Sequence, residues 1–122
     1  GMSDADAEYA HQVAGYEASP IAKPLVGVAK AGHLFPTDLC HLKNASGEDL
    51  VTIAQKYQIQ NAQFASILFD CPSDEPPADR NRAIVRFSTA TVLEETLLCD
   101  ARLGLDDIAT IYPEVTELRQ EL

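Results

Sequence analysis

The stretch Leu50-Val-Thr-Ile-Ala-Gln-Lys-Tyr-Gln-Ile-Gln-Asn-Ala-Gln-Phe-Ala-Ser-Ile-Leu68 decides the fold. Its apolar positions Ile53, Ala54, Tyr57, Ile59, Phe64, Ile67 and Leu68 fall into two short runs at helical spacing, broken at Gln58 to Asn61, as two helices packed across a tight turn require. A second reading competes with this one. Phe64 to Phe69 also has the composition of a strand, and Ala83-Ile-Val-Arg-Phe-Ser88 sets Val85 and Phe87 against Arg86 and Ser88, so 64–69 and 83–88 would pair as a hairpin. The helical reading predicts a mainly α, compact domain of about five or six helices with room for that one small β-hairpin, and the alternative is α+β.

Residues 50–68 resemble a helix-turn-helix unit. In that motif a small residue in the first helix lets the second approach, an αL-tolerant residue turns the chain, and apolar residues of the second helix face back onto the first. Ile53 and Ala54 supply the close-packing step, Tyr57 and Ile59 bracket the turn, and Phe64, Ile67 and Leu68 fill the inward face. The resemblance implies an outward set of Gln60, Asn61, Gln63 and Ser66. Amide side chains of this kind can read adenine edges in the major groove, with Lys43 and Lys56 on phosphates. Gln58 stands where glycine is usual, and the second helix carries no Lys or Arg, although phosphate neutralisation supplies most of the affinity of such contacts.

Outward from this segment, Tyr9, Val13 and Tyr16 mark a helix within 4–18, ended by Ser19-Pro20. From Pro24 to Leu34 the good helix formers Ala29, Lys30 and Ala31 favour a helix over a short buried strand. Phe35-Pro-Thr-Asp38 reads as a turn, with Thr37 capping one helical turn over Leu39 to Leu42, and 43–47 reads as a loop. Ser46, with Glu48 and Asp49 following, marks the start of the helix that enters the central stretch. Asp70 to Arg82 is an acidic, Pro-rich, solvated loop. Thr91-Val-Leu-Glu94 matches a capping box and opens a helix over 92–103 that buries Leu93, Leu97 and Ala101 and is closed by Gly104. Leu105-Asp-Asp107 opens a further helix over Ile108 to Tyr112, and a last one follows Pro113 with Val115 and Leu118 inward.

The tail, Leu103 to Thr116 with the preceding Val85-Arg-Phe-Ser88, is similar to the end of a family of short antitoxin-like domains, which pair a short strand with a helical unit ending in Tyr-Pro-x-Leu/Val-Thr. Ile108, Tyr112, Pro113, Val115 and Thr116 carry the likeness. It fails where that family has a Gly-Thr-Arg turn, since Phe87-Ser88-Thr89 stands there. An acidic chain of this family would neutralise a basic toxin.

The chain has 122 residues and a net charge of −10. Gly1 ahead of Met2 has the form of a tag remnant, leaving 2–122 as a single domain. No apolar run is long enough to span a bilayer, and the acidic start lacks a signal peptide's basic opening. Charge is uneven: residues 1–17 hold four acids and no Lys or Arg, 18–69 hold four Lys against three acids, and 70–122 hold five Arg against twelve acids. Such a balance disfavours nucleic acid and membranes and favours a basic protein partner. Cys40, Cys71 and Cys99 form no Cys-x-x-Cys pair, and their odd count is expected to mean reduced thiols in the cytoplasm.

Four metal-ligating side chains, His33, Asp38, Cys40 and His41, lie within nine residues but match no zinc spacing. Cys40 and His41 are adjacent, so on a helix they point about 100° apart and make poor nucleophile and base. No phosphate loop, nucleophile elbow or calcium loop occurs. The sequence therefore predicts a small acidic, cytoplasmic, non-catalytic protein without cofactor that acts through protein–protein contact. The contact candidates are Asp70, Asp74, Glu75, Asp79, Arg80 and Arg82, and a homodimer fits a chain this small. The alternatives are the helix-turn-helix or antitoxin-like regulator and, third, a small metal- or thiol-dependent enzyme around 33–41.

Overall fold

Two segments expected to be helical pair instead as strands. The computed structural model describes residues 1–4, 7–62, 64, 71–98 and 104–121. Within them β1 (Lys23–Val28) and β2 (Val115–Glu121) form a two-stranded antiparallel sheet, from Lys23 opposite Glu121 to Val28 opposite Val115. The register shifts between Gly27, opposite Glu117, and Val28, so Thr116 is an extra residue on β2. That bulge lets Val115 and Leu118, three apart in sequence, both pack with the core, across from Val28 and Val26. Spacing of three also describes a helix face, which is why the tail read as one. In β1 the β-branched Val26 and Val28 outweigh the helix formers behind them; Lys30 instead turns the chain at φ 60°.

Among the described residues the helices with defined bounds are α1 (Tyr9–Ala18), α2 (Leu50–Lys56), α3 (Ala78–Leu97) and α4 (Ile108–Ile111). The architecture is therefore α+β rather than a bundle of five or six helices. Single 3₁₀ turns stand at Leu39–His41, where Thr37 Oγ1 accepts from the Leu39 amide, and at Leu105–Asp107, leading directly into α4. Asp49 rather than Ser46 caps α2, its Oδ1 accepting from the Thr52 amide at 2.7 Å. The chain then turns through Gln58 and Asn61, both at positive φ.

The largest departure is α3. Ala83–Ser88, expected as a strand, lies inside this 20-residue helix, which begins after Pro77 with Asp79 in its first turn. The alternation at 85–88 loses to the helical spacing of Asn81, Ile84 and Thr91, all buried, which sets one face of a continuous helix against the body of the protein. Thr91 is thus not an N-cap but a buried mid-helix residue. Neighbouring hydroxyls are satisfied within the helix, Ser88 donating to the Ile84 carbonyl at 2.6 Å and Thr96 to that of Val92 at 2.7 Å. The core is Val28, Ala31, Ile84, Leu105, Ile108 and Val115, with Val26, Phe35, Phe87, Val92, Tyr112 and Leu118 packed against it. It lies between the sheet, one face of α3 and the 105–111 turn and helix.

Four fixings hold α3 and the loop before it. Arg80 donates from Nε to Glu114 at 2.8 Å and from Nη2 to the Ile111 carbonyl at 3.0 Å, and its guanidinium lies 4.6 Å from the centre of the Tyr112 ring. Phe87 meets the same ring edge-on at 5.7 Å. Buried Asn81 donates to the Pro76 carbonyl at 3.0 Å. Finally, Cys40 and Cys71, expected to be separate reduced thiols, are joined as a disulfide with Cα atoms 5.5 Å apart.

Candidate interaction surface

With Ile84, Phe87 and Thr91 turned to the core, helical periodicity puts Arg82, Arg86, Ala90, Leu93 and Leu97 on the opposite side of α3. All five are exposed. Leu93 and Leu97, expected to be buried, are 49% and 73% exposed, and Leu98 just past the helix is 69% exposed. The misplacement has one cause. A helix beginning at 92 could choose its inward face freely, whereas a helix already committed by Ile84 and Thr91 must turn Leu93 and Leu97 outward.

Beside this face runs an apolar strip. A groove of about 490 Å³ is lined by Pro36, Arg82, Val85, Arg86, Thr89, Ala90 and Leu93. A hollow of about 280 Å³ continues it over Pro24, Ser88 and Val92, sharing Thr89 and Leu93. A third, of about 200 Å³, reaches the core side through Val26, Phe35 and Val85. Apolar surface of this continuity on a small protein marks a contact site more often than chance exposure does. Arg82 is engaged by Asp38. Arg86 and Glu94 have no side-chain partner among the described residues, and they lie two helical turns apart on this side of α3.

The sequence-predicted contact residues lie elsewhere, and most are held by the protein itself. Asp74 pairs with Lys30 at 2.9 Å, and that hydrogen bond holds its carboxyl below the ordinary value. Glu75 accepts from the Gly32 amide at 3.3 Å. Arg80 is bound to Glu114, whose carboxyl it depresses, and Arg82 to Asp38. Asp79 is exposed in the first turn of α3, and Asp70 lies outside the described residues.

Of the candidate DNA contacts, Gln60 and Asn61 are exposed in the turn after α2, while Gln63 and Ser66 lie outside the described residues. Lys56 is paired with Glu48 at 2.7 Å, lowering that carboxyl, and Lys43 is bridged to Asp49 through the backbone. Tyr57, Ile59 and Phe64, expected to bracket the turn and fill an inward face, are all more than half exposed. Ile67 and Leu68, and with them the 64–69 half of the hairpin, fall outside the described residues, as does Ala101.

The metal candidates are separated by their partners. His33 Nδ1 is 3.2 Å from both carboxylate oxygens of Asp4, Asp38 meets Arg82, Cys40 is disulfide-bonded, and His41 is exposed. Among the described residues no group of three or more His, Cys, Asp or Glu could hold a metal ion, and no helix is long and apolar enough to cross a membrane.

What sequence reasoning missed was the face 82–86–90–93–97. Its signal was present at Pro76-Pro-Ala-Asp79, where proline before and an acid within the first turn mark a helix start. Comparison with known proteins finds no matching family model, no similar curated protein and no similar solved structure.

Proposed function

We propose that the protein is a non-catalytic binding module that acts through protein–protein contact at the outward face of α3. The observation that carries this reading is the exposure of Leu93 and Leu97 beside the apolar groove over Pro36 and Val85. The acidic loop proposed from charge alone offers fewer free groups, because Asp74, Glu75 and Arg80 are engaged with the body of the protein. A cytoplasmic location argued from unpaired thiols loses that support with the Cys40–Cys71 bond, since disulfides persist chiefly in oxidising surroundings.

The test compares the proteins retained from the native cell by the full chain and by Leu93→Glu/Leu97→Glu. Both side chains are exposed, so the variant keeps its circular dichroism spectrum. The reading requires that a partner, another copy of the chain included, be retained by the parent and lost by the variant. Equal retention by both, or none by either, refutes it.

A further inference from the structure

We infer that the partner at this surface is a second copy of the chain, with the two α3 helices packed antiparallel about a two-fold axis at Ala90. The inference rests on the protein-contact reading and names its partner.

Charge argues for it first. With Arg82 paired to Asp38, the outward face keeps a positive charge at Arg86 in its N-terminal half and a negative one at Glu94 in its C-terminal half. About a two-fold axis at Ala90 a residue four positions before the centre meets one four positions after it. Arg86 therefore faces Glu94 of the partner subunit, and Glu94 faces Arg86 of the partner subunit. The two groups that have no side-chain partner among the described residues satisfy one another twice. A parallel arrangement would set arginine on arginine and glutamate on glutamate, which is repulsive.

Size argues the same way. Ala90 at the crossing point allows the axes to approach within the usual helix-packing distance, and the same two-fold operation places Leu97 over Ala83 of the partner subunit, large on small. Two chains of net charge −10 repel at long range. A specific pair of ion pairs beside buried leucines is what such an interface needs to overcome that repulsion.

The deciding experiment is sedimentation equilibrium of the full chain across the micromolar range. The expected result is a species of twice the 13.2 kDa chain mass. Arg86→Glu and Glu94→Arg should each weaken association about tenfold or more, and the two together should restore it, since the double variant rebuilds both pairs with the charges exchanged. A monomer at every concentration overturns the inference, and so does a dimer indifferent to the single reversals or not rescued by the double. If the chain is monomeric yet Leu93→Glu/Leu97→Glu abolishes retention of another protein, only the identity of the partner falls. If retention is unaffected as well, the contact reading falls with it.

Discussion

Reduction of the Cys40–Cys71 bond perturbs the chain at a point where its effect can be worked out in advance. The bond closes a loop with a sequence separation of 31. On the chain-entropy account, a crosslink of that span removes about 12 cal/mol/K from the unfolded ensemble, or about 3.7 kcal/mol at 25 °C. The described part of the loop, His41 to Ala62 and Phe64, contributes no fully buried side chain. Native packing therefore does little to hold the loop once the bond is cut, and some of the calculated loss reappears as local opening, so about 3.7 kcal/mol is an upper value. The assay is urea unfolding with and without a dithiol reductant, alongside alkylation in denaturant. Unreduced protein should take up one alkyl group, at Cys99, and reduced protein three. Reduction should also lower the urea midpoint and steepen the transition, as the freed unfolded chain exposes more surface. Three alkyl groups without reductant, or an unchanged midpoint after reduction, would refute the reasoning.

Ile84→Ala removes a side chain only 1% exposed and should cost about 3 kcal/mol, lowering the melting temperature by about 12 °C; Leu97→Ala on the opposite side of the same helix should cost under about 0.5 kcal/mol, and equal losses in thermal melts would contradict the assigned faces. Because Arg80 depresses the Glu114 carboxyl, that group favours the folded state above its ordinary value of about 4.3 and loses this contribution as pH falls through the lower folded value. The stability gap between parent and Glu114→Gln should accordingly narrow on acidification below about pH 5, and gaps that stay parallel across denaturation curves from pH 7 to pH 3 would count against the Arg80–Glu114 pair.

What the sequence made legible was local chemistry. The Leu39 turn with Thr37 at its start, the loop at 43–47, the proline end of α1 and the acid-led opening of 105–111 depend on residues within a few positions of one another, and the structure has them in place. What it concealed depends on partners far along the chain. Val26 and Val28 become a strand only because Leu118 and Val115, some ninety residues later, lie across from them. In β2 the bulge at Thr116 gives the core positions a helix-like interval, so the periodicity itself misled. At Thr91-Val-Leu-Glu94 a valid capping pattern sat in mid-helix, because a helix already begun at Ala78 needs no second start. The disulfide was hidden for a similar reason: sequence shows three cysteines but not that Cys40 and Cys71 end up 5.5 Å apart.

The position of α3 bears on the contact reading. Its inward side supplies Ile84, Phe87 and Thr91, and Arg80 fixes its first turns to Ile111 and Glu114, so the helix is held without any contribution from Leu93 or Leu97. Apolar side chains that stabilised the monomer would have to lose exposed area on folding, and Leu93 keeps about half of its area in solvent and Leu97 about three-quarters. Glu95 sharpens the contrast, because it stands two positions from each outward leucine and so on the other side of the helix, where its carboxylate accepts from the Leu105 amide at 3.2 Å. The same stretch thus carries a residue spent on the fold and residues the fold does not use. Substitutions at 93 and 97 can consequently remove binding while leaving the core intact, and that separation lets association be tested independently of stability.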